Sequence, residues 1–243
     1  MQQSVERKQQ LAQRLQAVRQ RIDRAVQHAG RSDRPELIVV TKFHPAADVL
    51  LLAELGVEQV GENRDQEAAA KQAELAAQGV HLRWHFIGQL QSNKAKSVAH
   101  YAEAVHSVDR QSLVDALGRA VASLERPALK CFVQIDLAAE STGQRGGASP
   151  SQMLGLADQI ASTAGLELAG LMAVAPLGEQ GSSADPDAAF RRLAELSQEL
   201  REIYPQAQAI SAGMSSDLEV AVAHGATHLR IGSDVLGARP AVR

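Results

Sequence analysis

The sequence has a single cysteine, no long apolar run and no excess of basic residues, and each absence excludes a class of protein. Cys131 is the one cysteine in 243 residues, so no disulfide can form within the chain. No apolar stretch approaches the roughly 18 residues that a membrane-spanning helix needs. The formal net charge is −3 and no basic stripe is present, which argues against sequence-independent nucleic-acid binding.

The first residues also lack an export signal. Residues 1–8 carry charged side chains but lead into no apolar segment, which a secretory signal would need. Cys131 lies inside an apolar run and is expected to be a packing residue. These observations predict a soluble, cytoplasmic protein with no membrane partner.

The N-terminal part predicts a helix over about residues 3–29. Apolar residues recur there at spacings of three and four, the period of one helix face, and Gly30 supplies a stop. The residues of this face are Leu11, Leu15, Val18, Ile22 and Val26.

After this helix, short apolar runs alternate with amphipathic stretches. The runs are 37–40, 57–60, 82–87, 104–108, 129–135, 166–174, 208–211 and 228–231, and the clearest stretches between them are 64–77, 110–124, 151–163 and 187–203. Alternating strands and helices predict right-handed βαβ units and a parallel sheet. Eight units fit a (β/α)8 TIM barrel better than an open doubly wound sheet.

No composition shift or linker divides the chain, so we expect one domain over residues 1–243. Two loop-like segments, 138–150 and 176–186, each follow a strand. Barrel enzymes place mobile active-site loops at such positions.

Lys42 is the first chemical candidate, because it follows the first apolar run and precedes a helix that starts near Pro45. An ammonium just past a buried strand is easily desolvated, which lowers its pKa and makes the amine a nucleophile towards carbonyls. The plain alternative is a solvated lysine at a strand end.

Two glycine-containing turns follow the seventh and eighth runs, at 211–215 and 232–233. Loops at these strand ends are the common phosphate site of the barrel, because backbone amides and helix dipoles favour an anion there. The turn at 211–215 leads into a predicted helix over 217–224. Turn and cap residues without a ligand remain the alternative.

Arg230 alternates with Leu229 and Ile231, so its side chain is predicted to point into the barrel. Either a ligand heteroatom or a salt bridge to Glu62 or Asp136 would compensate this buried charge. A lysine, an anion site and an arginine together suit pyridoxal 5′-phosphate, which needs an amine for its aldehyde and a partner for its ring nitrogen.

In these residues and their spacing, the chain resembles the pyridoxal phosphate homeostasis protein family, which is related to the barrel domain of alanine racemase. The resemblance runs from about Leu37 to Arg239. Its most specific segment is Trp84-His85-Phe86-Ile87-Gly88 with Leu90-Gln91-Ser92-Asn93-Lys94, and further matches are 39–42 with Pro45, 61–63 with 66–67, 106–109, 170–172, 213–215 with Asp217, and 230–233.

The resemblance implies a cofactor site. The family's cofactor lysine falls on Lys42 and its pyridine-nitrogen arginine on Arg230, with Asn63 beside the cofactor. The glycine turns that carry the phosphate contribute Ser211, Gly213, Met214, Ser215, Gly232 and Ser233. His44, Gln89 and the loop 138–147 depart from the family pattern, which affects the rim of the site.

The resemblance further implies a protein that holds pyridoxal phosphate as an internal aldimine (a lysine Schiff base) and limits or carries the free cofactor, with apo-enzymes as partners and a monomeric or weakly dimeric state. A cation at the ring nitrogen weakens the cofactor as an electron sink. A racemase also needs a second base, which is a tyrosine in alanine racemase. Tyr101 and Tyr204 lie in helical patterns, and the sequence leaves no room for a further domain, so catalysis is not expected.

Two alternatives remain open. One is a weak pyridoxal-phosphate enzyme, such as an amino-acid racemase, for which Arg145 is the candidate partner of a substrate carboxylate. The other is a phosphate-sugar or metal-dependent barrel enzyme. His85, His106, Asp109 and Asp136 would serve that chemistry, although they lack a metal-ligand spacing.

Overall fold

A computed structural model describes residues 2–138, 146–176 and 185–238. Within these residues, eight parallel strands follow one another in sequence order and form a closed barrel. They are β1 (Glu36–Val40), β2 (Gln59–Glu62), β3 (Arg83–Phe86), β4 (Ala102–Val108), β5 (Leu129–Gln134), β6 (Leu166–Met172), β7 (Ala209–Ser211) and β8 (His228–Ile231). The predicted (β/α)8 barrel is confirmed, and each apolar run overlaps one of these strands.

Helices connect the strands on the outside of the barrel. They are α1 (Gln2–His28), α2 (Ala46–Glu54), α3 (Asp65–Ala76), α4 (Ala95–Tyr101), α5 (Gln111–Val121), α6 (Met153–Ser162), α7 (Pro186–Ile203), α8 (Leu218–Ala223) and α9 (Ser233–Leu236). The four amphipathic stretches correspond to α3, α5, α6 and α7. No bounds were predicted for the short helices α4 and α9, because neither is long enough to show a helical period clearly.

The N-terminal helix α1 covers the seam where the barrel closes. Its predicted apolar face is buried at Leu11, Leu15, Val18 and Ile22, and Val26 at the end of this face is half-buried. The helix packs against α2, α8 and α9, which flank the two strands that meet at the seam. Gly30 follows the helix with a φ of 65°, a left-handed conformation that suits glycine at a helix end.

The core lies mainly between the barrel and its helices. Trp84, Phe190 and Cys131 are buried there, and Cys131 is a free thiol, as its apolar surroundings predict. Among the described helices, none combines the length and apolar character needed to cross a bilayer.

Gly170 in β6 provides a test of how tightly the barrel is packed. It has a φ of 150°, and a Cβ atom added there would lie 1.9 Å from the carbonyl oxygen of Ala209 in β7. We expect Gly170→Ala to lower the free energy of unfolding by about 3 kcal/mol, because overpacking and backbone strain add. Urea unfolding followed by circular dichroism measures this change.

Gly155 offers a matched control within α6, since a Cβ atom there meets nothing within 4 Å. Gly155→Ala should stabilise the protein by up to about 1 kcal/mol through its helix propensity. If the two substitutions changed the free energy of unfolding equally, the contact between Gly170 in β6 and Ala209 in β7 would not be unusually tight.

Candidate functional site

Lys42 lies in a tight turn between β1 and α2. The amide of Thr41 donates to the carbonyl of Gly61 at 3.0 Å, which extends the β1–β2 ladder by one residue, and the amide of His44 donates back to Thr41 at 3.1 Å. Pro45 then precedes the first residue of α2, where its fixed φ suits the helix start. Lys42 is therefore presented at the carboxyl end of the barrel, as the sequence predicts.

A cleft of about 420 Å³ opens beside Lys42. Its lining combines the end of β1, the loops after β7 and β8, and two apolar residues just past the ends of β3 and β6, Ile87 and Val174. The lining residues are Val40, Lys42, His44, Ile87, Val174, Met214, Ser215, Ser216, Arg230, Gly232, Ser233 and Gly237. The structure thus gathers the predicted lysine, the predicted arginine and four of the predicted turn residues (Met214, Ser215, Gly232 and Ser233) around one cleft.

Arg230 points into the barrel, and only 4% of it is exposed. Its guanidinium donates to the hydroxyl of Ser211 at 2.6 Å and to the carbonyl of Ala173 at 2.9 Å. Burial lowers the pKa of Arg230 to about 10, with Asp217 acting in the opposite direction, so the group remains a cation at neutral pH. Arg230 makes no ion pair with Glu62 or Asp136 among the described residues, which removes the salt-bridge alternative.

A hydrogen-bonded chain supports Arg230 from below. Ser211 Oγ lies 2.8 Å from His106 Nδ1, and His106 Nε2 lies 2.9 Å from His85 Nδ1. Burial lowers the pKa of His85 to about 3 and that of His106 well below its usual value, so both rings are neutral. Phe132 stacks on His106 with ring centroids 4.2 Å apart. In this chain of hydrogen bonds, Arg230 therefore carries the one charge, and its partners Ser211, His106 and His85 are neutral.

The loops after β7 and β8 meet at the cleft through two hydroxyls. Ser233 Oγ donates to Ser215 Oγ at 3.1 Å. Arg21 of α1 ties the same loops together, because its guanidinium donates to the carbonyl of Ser215 and pairs with Glu219 and Asp234. The seam helix therefore fixes the position of both glycine turns.

Three predicted site residues lie outside the cleft lining. Ser211 is fully buried, and its hydroxyl is occupied by Arg230 and His106, so it supports the arginine instead of facing the cleft. Asn63 lines a neighbouring cleft of about 430 Å³ with Arg64.

Gly213 is the third of these residues, and it packs behind the β7 turn. Its φ is 92°, and a Cβ atom there would lie 2.7 Å from Cβ of Ala221 in α8 and 2.8 Å from Leu229 Cδ2 in β8. Its carbonyl accepts the amide of Arg230 at 2.9 Å. Glycine is thus needed at this position for backbone packing.

The residues proposed for the metal-dependent and racemase alternatives do not form a site in the described residues. His85 and His106 bond to each other, and no group of three His, Cys, Asp or Glu side chains in the described ranges could hold a metal. Tyr204 donates to Asp158 on the outside of the barrel, and neither it nor Tyr101 lines the Lys42 cleft. Arg145 and most of the loop 138–150, like most of 176–186, lie outside the described residues.

Sequence reasoning missed the charged residues behind the site. Lys71 is only 6% exposed and pairs with Glu62 at 2.7 Å and with Glu67 at 2.6 Å. Arg21 was likewise not predicted. The one available signal for Lys71 was its i, i+4 spacing from Glu67, which many surface helices share.

Comparison with known proteins adds the family. A family model described as alanine racemase, N-terminal domain, matches residues 13–240. The pyridoxal phosphate homeostasis protein of Mycobacterium tuberculosis is 43% identical over 96% of this chain and 95% of its own length. The protein of that name from Corynebacterium glutamicum is 44% identical over 86% of this chain and 94% of its own.

Solved structures agree with this assignment. PipY of Synechococcus elongatus, in a structure with pyridoxal phosphate bound, is 34% identical with a TM-score of 0.79, covering 93% of this chain and 100% of that one. Alanine racemase from Streptomyces coelicolor has a TM-score of 0.73 at 16% identity, covering 96% of this chain and 59% of the racemase, and shows the shared barrel fold. The chain therefore belongs to the pyridoxal phosphate homeostasis protein family, within the wider group that shares the alanine racemase N-terminal barrel.

Proposed function

We propose that this protein binds pyridoxal 5′-phosphate in the Lys42 cleft, as a Schiff base with the Lys42 amine, and serves the homeostasis of that cofactor. The observation that carries the proposal is the convergence of Lys42 and Arg230 on one cleft whose rim holds the Ser215 and Ser233 hydroxyls. The relative PipY, which has been solved with pyridoxal phosphate bound, adds independent support.

The residues of the cleft fit the chemistry of this cofactor. Lys42 supplies the amine that an aldehyde needs. Ser215, Gly232 and Ser233 offer hydroxyl and backbone donors for a phosphate at the ends of β7 and β8, where barrels commonly bind one. Arg230 offers its guanidinium as the donor to the pyridine nitrogen. When bound, the cofactor supplies an electrophilic aldehyde and a conjugated ring that can accept electron density.

Carriage without robust catalysis is the role that the cleft supports best. The charged guanidinium of Arg230 disfavours a proton on the ring nitrogen and so weakens the ring as an electron sink. Among the described lining residues, Lys42 is the one amine, and no tyrosine stands opposite it as a second base. We further propose that the protein hands the cofactor to apo-enzymes.

Lys42→Ala tests the covalent link. The purified protein incubated with pyridoxal 5′-phosphate and then borohydride should carry a reduced adduct on Lys42, identified by mass spectrometry of the digested chain. Lys42→Ala should lose the adduct and the visible absorbance. Lys96→Ala is the matched control, because Lys96 is exposed on α4. A wild-type protein that takes up no cofactor would overturn the proposed function.

Arg230→Met tests the arginine while keeping a long side chain at the position. Loss of a charge-assisted contact to the ring should weaken pyridoxal 5′-phosphate binding about tenfold or more, since charged hydrogen bonds contribute about 1.5–3 kcal/mol. Ser211→Ala should have a smaller effect because it removes only a support of the guanidinium. Fluorescence titration measures both affinities. An affinity lower in Ser211→Ala than in Arg230→Met would contradict this assignment.

Arg21→Met tests the loops after β7 and β8, which we propose bind the phosphate, through a residue that does not line the cleft. Loss of its ion pairs should weaken binding of pyridoxal 5′-phosphate about three- to tenfold, since exposed ion pairs contribute up to about 1 kcal/mol each. Binding of unphosphorylated pyridoxal should not change. Arg34→Met is the control, because Arg34 pairs with Asp23 on the surface. An equal loss for both ligands would exclude an effect through the phosphate.

A further inference from the structure

One buried ammonium holds the backbone on both sides of Lys42. Lys71 Nζ donates directly to the carbonyl of Thr41, the residue before Lys42, at 2.9 Å. It also donates to Glu67 Oε1 at 2.6 Å, and the same oxygen accepts the backbone amide of Phe43, the residue after Lys42, at 2.7 Å. The peptides on either side of the proposed cofactor lysine are thus bonded to two side chains of α3, Lys71 directly and Glu67, which Lys71 itself holds.

Phe43 needs such support because its backbone conformation is unfavourable. It has a φ of 68°, and it is the one residue other than glycine with a positive φ in the described part of the chain. An aromatic residue in the left-handed region is strained unless the surroundings impose that conformation. The guanidinium of Arg64 lies 4.9 Å from the centroid of the Phe43 ring, which adds a contact on the outer side.

The charges of this cluster make the support rigid. Glu62 is 1% exposed, and its Oε1 atom accepts from Lys71 at 2.7 Å and from the hydroxyl of Thr41 at 2.7 Å. Glu62 Oε2 has no partner in the described part of the chain. A buried carboxylate with one unpaired oxygen depends strongly on its cation. Removal of the Lys71 ammonium would leave the carboxylates of Glu62 and Glu67 without the cation that both of them pair with.

We propose that Lys71 is a positioning residue for the cofactor site. Through Thr41 and Glu67 it holds Phe43 in the left-handed conformation, and this conformation sets the path along which the Lys42 amine enters the cleft. The inference deepens the proposed function, because it assigns to the Lys71–Glu62–Glu67 cluster the geometry of Lys42 towards an aldehyde. Lys71 itself is not part of the cleft lining.

The arrangement of the bonds distinguishes positioning from general stabilisation. A cluster that only stabilised the fold would need bonds between α3 and β2, which the pair of Lys71 with Glu62 already provides. The further bonds reach the peptides on either side of Lys42, and the one to Phe43 passes through Glu67, a residue of α3 that is four positions from Lys71. The backbone around Lys42 is therefore set by contacts with α3 as well as by its own sequence.

A double-mutant cycle tests the proposal, with Lys71→Met and Phe43→Gly as its two changes. The readout is the rate constant for formation of the visible Schiff base from protein and pyridoxal 5′-phosphate, measured by stopped flow on samples shown to be folded by circular dichroism. Lys71→Met alone should slow the reaction about 10- to 100-fold, because a small misplacement of a reacting group has an effect of that order.

Glycine at position 43 should rescue much of this loss. Glycine adopts the left-handed conformation as readily as the right-handed one, so it needs less support from Lys71. In the Phe43→Gly background, Lys71→Met should therefore slow the reaction only about threefold. Phe43→Ala is the matched control, because it removes the ring and its contact with Arg64 without giving glycine's freedom. Lys71→Met in that background should remain as damaging as in the wild type.

The outcomes separate the possibilities. Multiplicative effects of Lys71→Met and Phe43→Gly, or a lower melting temperature with an unchanged rate, would overturn the proposal and leave Lys71 a stabilising residue. Where Lys71→Met does not fold, Glu67→Ala is measured instead, since it removes the acceptor of the Phe43 amide; an unchanged rate would again overturn the proposal.

A crystal structure of the folded variant gives a readout that does not depend on the cofactor. Phe43 should leave the left-handed region in the Lys71→Met or Glu67→Ala protein, and an unchanged φ would contradict the proposed role. If the wild-type protein forms no Schiff base at all, the proposed function fails, whereas the crystallographic result still decides whether Lys71 sets the conformation of Phe43.

Discussion

The pairing of β8 with β1 is the constraint on which the rest of the site depends. In this register Ile38 lies beside Arg230 and Val39 beside Ile231. Residues far apart in the sequence thereby end at the same edge, with Lys42 after β1 and Gly232 after β8. A barrel of parallel strands places all carboxyl ends on one face, so a single closing pair brings the amine, the guanidinium and the glycine turns to one cleft.

Around this seam, charged groups are fixed by different means according to their burial. Arg21 lies at the surface and ties the β7 and β8 loops with ion pairs that solvent partly screens. Arg230 is buried, and neutral partners hold it through Ser211 and His106. Lys71 is buried and compensated by two carboxylates. These charged groups bond to residues on different sides of the cleft, and two of them, Arg21 and Lys71, come from helices outside the barrel.

The architecture was predictable because its signals are local and repeated. Eight short apolar runs and the helical period of Leu11, Leu15 and Ile22 are properties of neighbouring residues, and buried strands and helices follow from them. The Lys42 cleft was predictable for a related reason, since a barrel fixes which loops meet. The positions of the Asn63 and Ser211 side chains could not be predicted from the sequence. The orientation of a side chain at a strand end depends on its hydrogen-bond partners, such as Arg230 for Ser211.

By itself the sequence determined the barrel, the seam helix and the set of residues at the strand ends, since periodicity and strand order are encoded along the chain. The tertiary structure alone decided that Ser211 supports Arg230, that Arg21 reaches two loops, and that Lys71 holds the peptides beside Lys42. These contacts join residues that are 19, 194 and 30 positions apart. These contacts depend on the closed barrel, because only the folded chain brings their donors and acceptors within bonding distance, and the buried groups Arg230 and Lys71 need such partners.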